Sequence, residues 1–522
     1  MLPVLTEGTF LSAFIALIPI LWLLASLGIY KMPAYKACTI GLILGILIAI
    51  FVWRMPYNLV LLAALEGIVL ALMPILWVIL AAIFLYNISL KTGAMDKIKH
   101  LMSNLSGDRR VQVLIIAWGF GGFLEATAGF GTAVAIPASI LIALGFDAFF
   151  AAILCLIANT IAVAFGGVGL PVTTLAKVTD LSVMQLTFDV ALQLSPFVLL
   201  VPFLLVFTIT KSIRAFYGVW TATITAALSF AITQLAVARF IGPELTAILG
   251  SIAAIVSTVV AVKLSPPAEE WRFPDEAAQQ DIISSTAQVG TFKEILIAWI
   301  PYILLLALVL VTSNLIPSIN IPLSKFRSDL LIYPGPGSKA FYIEWFLTPG
   351  TLIMISAIIG GLCQGASVRT LVTILGSTLV QLQKTFITVL AIVSMAKVLG
   401  YSGMIGAVAV ALASATGKTY PVFAPLIGAL GTFITGSDTS SNVLFGALQK
   451  QTAIKIGSNL TWITAANTSG ACAGKLISPQ SIAIATSATG LIGREGDILN
   501  ITFKYLLLFI VGLGLISYWF AY

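Results

Sequence analysis

Apolar runs of about the length of a membrane-spanning helix alternate with short polar loops along nearly the whole chain. Spans are predicted at 9–28, 37–53, 148–170, 190–210, 217–238, 243–262, 294–312, 346–365, 386–402, 458–475 and 500–521. The run at 59–88 is too long for one perpendicular helix and is expected to divide into a short interfacial piece carrying Glu66 and a span ending near Tyr86. An amphipathic piece is expected before 386. The prediction is an all-α polytopic fold of roughly 12 spans.

Two further stretches are apolar at both ends and polar in the middle. Residues 111–146 are interrupted by a run from Gly119 to Thr132 that contains Glu125, Thr127, Gly129 and Gly131. Residues 404–450 are interrupted from Gly431 to Asn442, with Ser437, Asp438, Thr439, Ser440 and Ser441 in between. Each predicts a re-entrant helical hairpin with a polar tip, although two thin full spans are an alternative for 111–146. A second pattern also recurs: Asn159-Thr160 and Asn467-Thr468 each have Gly seven residues after the Asn and Pro twelve after it, inside apolar surroundings. In hydrocarbon an irregular backbone survives only where it is buried in protein or lines a cavity. Paired interruptions, one per half, point to a transport site.

The landmarks of the two copies are separated by 308 to 310 residues, and the loop charges put the first copy's start outside and the second's inside. An inverted-topology repeat is therefore expected: 1–214 with its hairpin at 111–146, then linking helices and a cytoplasmic linker over 215–293, then 294–522 with its hairpin at 419–454. The +7 net charge follows from Lys and Arg in short loops, with Lys91, Lys97, Lys99, Arg109 and Arg110 as the strongest cytoplasmic marker. This gives extracytoplasmic N- and C-termini in a multi-pass protein of the cytoplasmic membrane. Lys450 and Lys455 fall on the outer side, against that bias. Glu7 and the lack of a basic stretch before the first span argue against a cleavable signal peptide.

Composition narrows the chemistry. With 59% hydrophobic and 9% charged residues, against roughly 25% charged in soluble domains, the chain leaves little room for a soluble catalytic domain. The partner implied is the lipid bilayer, and no nucleic acid. Cys38, Cys155, Cys363 and Cys472 stand singly, which supports neither a disulfide framework nor a metal site. The glycine run near 119–131 lacks the Lys-Ser/Thr ending of a phosphate loop. No cofactor is expected and no enzyme nucleophile is nominated.

Candidate binding groups are the tip and break residues: Thr127, Gly129, Gly131, Thr132, Asn159, Thr160, Ser437, Thr439, Ser440, Ser441, Asn442, Asn467 and Thr468. Half-helix N-termini carry unpaired N–H groups and partial positive charge, which suits a small anion. Glycine, serine and threonine also serve plain close packing of helices. Glu125 and Asp438 are the acids nearest the tips, suited to proton coupling or to capping a helix start. Lys475 follows the second Asn-Thr pair and suits a substrate carboxylate or Asp438. Lys397 near a span end fits snorkelling equally well. His100 lies in the basic loop as a solvated residue.

The segments Glu125-Ala126-Thr127-Ala128-Gly129-Phe130-Gly131, Ala158-Asn159-Thr160 to Pro171, and Gly436-Ser437-Asp438-Thr439-Ser440-Ser441-Asn442-Val443-Leu444-Phe445-Gly446 resemble the bacterial and archaeal lactate permease family across essentially the whole chain. The resemblance implies proton-coupled uptake of L-lactate, D-lactate or glycolate in a fold similar to other transporters with paired hairpins. Sodium coupling in the same fold and a passive anion channel are the alternatives; the channel lacks a ring of basic pore residues.

Overall fold

The computed structural model describes residues 10–522 except 24, 27–29, 31, 130, 268–269, 274–290, 314–315, 337, 339 and 492–493. Glu7, Phe130 and most of the expected linker, including Pro274-Asp275-Glu276, lie outside the described residues. Helices dominate what is described, and nine of them, taken with their kinked continuations, are long and apolar enough to cross a membrane. The chain is an all-α polytopic membrane protein.

Helices α1 (Phe10–Leu23) and α2 (Ala34–Phe51) lead to α3 (Tyr57–Leu70), a wide π turn over Ala71–Leu76, and α4 (Trp77–Lys91). The run 57–91 is thus one kinked span. Glu66 is not interfacial: it is 1% exposed and paired with Lys397 at 2.9 Å. Tyr401 donates its hydroxyl to the same carboxylate at 2.6 Å, and the Tyr333 backbone N–H donates to the other oxygen at 3.2 Å. A buried charge persists only when paired and hydrogen-bonded, and this one has three partners.

A short helix, α5 (Ala94–Ser103), precedes the first hairpin. Its ascending arm is α6 (Arg109–Val113), a π turn over Leu114–Phe120, and α7 (Gly121–Thr127); the return arm is α8 (Thr132–Ala143). Asp108 caps α6 by accepting from Arg110 N at 2.9 Å, pairs with the Arg110 guanidinium at 2.5 Å, and accepts from Trp271 N at 3.1 Å. The described end of the linker is therefore strapped to the base of this hairpin.

Next comes α9 (Ala148–Ala162), capped by Asp147, then a 3₁₀ turn (Val163–Phe165) and α10 (Gly166–Thr179). The long helix α11 (Val183–Thr210) follows, then α12 (Trp220–Phe240), α13 (Pro243–Leu264) and α14 (Phe292–Thr312). A loop with α15 (Pro317–Ser324) and a small antiparallel pair, β1 (Arg327–Leu330) with β2 (Phe341–Glu344), leads to α16 (Pro349–Cys363). Helix α17 (Val368–Tyr401) is a single helix of 34 residues, where the sequence suggested two pieces. Its first half keeps a narrow buried stripe of Leu371, Ile374, Thr378 and Leu382, so amphipathic and apolar portions join without a break. Gly41 and Gly45 of α2 are buried against its Met395.

The remaining order is α18 (Met404–Thr416), a second hairpin of α19 (Tyr420–Thr435) and α20 (Asp438–Ile456), then α21 (Leu460–Gly474), a 3₁₀ turn (Lys475–Ile477), α22 (Pro479–Thr489) and α23 (Glu495–Trp519). Short helix, hairpin, interrupted helix and long helix thus occur in the same order from α5 to α11 and from α18 to α23. The packing crosses between the two groups: α10 lies against α20, and α22 against α8. Lys450 of α20 donates to Thr179 O at the C-terminal end of α10, at 2.5 Å. Its position is set by that carbonyl rather than by loop charge.

Candidate functional site

The two helix interruptions differ in construction. After Gly166 the backbone turns left-handed at Gly167 (φ 52), Val168 (φ 59) and Gly169 (φ 75) before α10 resumes. A β-branched residue in that region costs roughly 1–2 kcal/mol, and Val168 is held there fully buried. The second interruption falls at Lys475–Ser478, with Pro479 opening α22. Asn159-Thr160 therefore closes the last turn of α9, whereas Asn467-Thr468 sits inside the regular helix α21. The shared twelve-residue spacing does not mark equivalent positions, because Pro171 lies inside its second half-helix and Pro479 begins its own.

Both hairpin tips and the first break meet at a cavity of about 310 Å³. Of the residues singled out from the sequence, Glu125, Gly129, Gly131, Asn159, Ser437, Asp438, Thr439, Ser440 and Lys475 line it. Glu125 is 3% and Asp438 2% exposed. The Glu125 carboxylate rests on the break itself, since a methyl group on Gly166 would stand 2.8 Å from Oε1. Asp438 begins α20, whose N-terminus Ser437 caps by accepting from Ser440 N at 3.3 Å. Cys472 Sγ lies 3.6 Å from the other oxygen of Asp438. Lys475 and Asn159 line the cavity together with both carboxyls.

Several buried polar atoms here have no partner within the protein: Glu125 Oε2, both side-chain polar atoms of Asn159, and Asp438 Oδ1. Buried polar atoms are nearly always hydrogen-bonded. A cluster of four unpaired ones around a cavity is the pattern of a binding site whose partner is a ligand.

The other residues singled out do not line the cavity. Thr127, Thr132 and Thr160 turn their hydroxyls back onto Phe123 O, Gly129 O and Leu156 O, and Ser441 bonds Gly428 O. Asn442, Asn467 and Thr468 form a buried network behind the cavity: Asn467 and Thr468 donate to Asn442 Oδ1 at 2.9 and 3.0 Å. Asn442 in turn donates to Pro171 O of α10 at 3.1 Å. These groups fix hairpin, break and neighbouring helix relative to one another, at about 1 kcal/mol net per bond.

The cavity also takes residues that hydropathy concealed. Gln480 and Ser481 come from α22, and Lys384, Thr385 and Thr388 from the middle of α17. Gln480 is pressed against Gly436 at the second tip, where φ is +72 and no side chain fits. The polar face Lys384-Thr385-Thr388 was the one available signal, and it passes for part of an interfacial helix.

Paired hairpins, paired helix interruptions and a small cavity carrying polar groups between them, in a polytopic membrane protein, define a carrier rather than an enzyme. The chain belongs to the L-lactate permease family, whose model matches residues 12–522. It is 44% identical to an L-lactate permease of Streptococcus iniae over 88% of this chain and 95% of that one. It is also 36% identical to the glycolate permease GlcA of Escherichia coli (99% and 96% covered) and 35% identical to an L-lactate permease of Bacillus subtilis (97% and 95% covered).

Proposed function

We propose that this protein is a secondary carrier that takes up lactate and related 2-hydroxymonocarboxylates such as glycolate across the cytoplasmic membrane together with one proton. The observation that carries the proton is the composition of the cavity: two buried acids, Glu125 and Asp438, share it with two lysines, Lys384 and Lys475. A buried site holds charge only in balance. Two lysines offset the two acids, so admitting a substrate carboxylate requires a proton on one acid. The membrane potential favours co-transport of one positive charge. Entry of a bare monoanion against an inside-negative potential costs about 2.3 kcal/mol per 100 mV, and one proton cancels that cost.

In this reading the N-terminal ends of α10 and α20 and the Asn159 amide receive the carboxylate, and Ser437, Thr439, Ser440 and Gln480 offer partners to the 2-hydroxyl. Gly129 and Gly131 leave room at the first tip. Thr127, Thr132, Thr160, Ser441, Asn442, Asn467 and Thr468 support those positions from behind. The two element groups from α5 and from α18 act as inverted repeats, with both termini outside and the linker in the cytoplasm.

The test is uptake of labelled lactate in proteoliposomes with an imposed pH gradient. Accumulation should follow the gradient and collapse with a protonophore. Asp438→Asn should abolish accumulation and retain part of the counterflow exchange. Uptake indifferent to the proton gradient but dependent on Na⁺ at fixed pH would replace the proton with sodium.

A further inference from the structure

Among the described residues the cavity has two lining cations, Lys475 after α21 and Lys384 on α17. Lys397 on the same helix is neutralised by Glu66, but Lys384 forms no ion pair among the described residues. Its ammonium stands 6.0 Å from the ring centre of Tyr35, and Lys36 stands 6.0 Å from the same ring. Pro33, Ala34 and Tyr35, which open α2, line the cavity alongside it. Two cations beside one aromatic ring, one of them lining the same cavity as Lys475, make an electropositive mouth on one side of the cavity.

Lys384 is exposed on the cavity side of a long helix and gains little structurally from a ring at 6.0 Å. Its position is explained if a mobile anion passes it. A charged cleft of this kind raises the local concentration of its counter-ion by tenfold or more. We propose that Lys384, assisted by Lys36, is the receiving and releasing contact for the substrate carboxylate at the cytoplasmic mouth, handing it between bulk solvent and Lys475. This rests on the reading of the substrate as a monocarboxylate. The side is cytoplasmic because the loop before α2 is placed inside by its basic residues. Lys384 thus touches the substrate at one face of the membrane only.

The experiment compares wild type, Lys384→Gln and Lys384→Arg, using lactate exchange in right-side-out and inside-out vesicles at low and high ionic strength. Lys384→Gln is expected to raise the half-saturating lactate concentration about tenfold at the cytoplasmic face, as loss of a charged cleft implies, and to leave the outer face unchanged. It should also flatten the salt dependence at the cytoplasmic face, and Lys384→Arg should restore both. Equal effects at the two faces, an effect confined to the outer face, or no rescue by arginine would overturn the proposal while leaving the carrier function standing. Wild-type vesicles that move no lactate would overturn the functional reading and this proposal together.

Discussion

Replacing Gly166 by Ala places a single methyl group against the Glu125 carboxylate. The added carbon would lie 2.8 Å from Oε1 and 3.4 Å from both Cγ and the backbone oxygen of Glu125. Ordinary contact begins near 3.4 Å, so the carboxylate must retreat by about 0.6 Å, which is of the order that costs a bound geometry tenfold or more in rate. The backbone does not object: Gly166 has φ −63 and ψ 154, a conformation alanine adopts freely, and Gly→Ala at such a position lowers the entropy of the unfolded chain. The expected phenotype is therefore a folded protein with slow transport. Proton-driven lactate uptake should fall about tenfold, equivalent to about 1.4 kcal/mol, with thermal unfolding in detergent unchanged or slightly improved. Glu125→Asp shortens the acid by one methylene and withdraws it from the methyl. Gly166→Ala combined with Glu125→Asp should then transport better than the product of the two single effects predicts, a positive coupling in a double-mutant cycle. Normal uptake by Gly166→Ala, or strictly multiplicative effects in the double variant, would refute the claim that the carboxylate depends on this break.

Two further substitutions probe stability. Lys397→Met strands the buried Glu66 carboxylate and should lower stability by about 3 kcal/mol in detergent thermal unfolding, most of it recovered by adding Glu66→Gln. Gly169→Ala, at φ +75 with its new carbon 2.7 Å from the Pro243 carbonyl carbon, combines left-handed strain with a backbone clash and should cost about 3 kcal/mol. Gly167→Ala at φ +52 meets nothing closer than 3.9 Å and should cost about 1 kcal/mol; the same unfolding measurement ranks the two.

Hydropathy alone makes the polytopic helical character legible, because the bilayer imposes both length and apolarity on each span. Glycines in a polar setting mark the turns between α7 and α8 and between α19 and α20. Pairings across hundreds of residues leave no local trace: Glu66 looks interfacial until Lys397, 331 residues on, is seen beside it. Spacing also misleads where a helix tolerates polar side chains, as in α21, where Asn467 and Thr468 satisfy themselves on Asn442 and the helix continues. Lys384 escaped notice because a charge at the seam of an amphipathic and an apolar segment resembles an interface. Cys472 stands alone in the sequence, and only the fold sets its thiol beside Asp438.

The cross-packing of α10 on α20 and α22 on α8 has a mechanical corollary. Asn442 and Lys450 clasp the backbone of α10 from the opposite group, and Gly131 at the first tip is closed over by Ile484 of α22. The cavity is therefore a seam stitched from both sides, and sliding one group against the other would unpick the stitches that hold the seat. A displacement that keeps the seat whole has to carry both hairpins and both interrupted helices as one block. The wall formed by α17 and the start of α2, which contributes Lys384 and Tyr35 to the cavity, is then the surface past which that block travels.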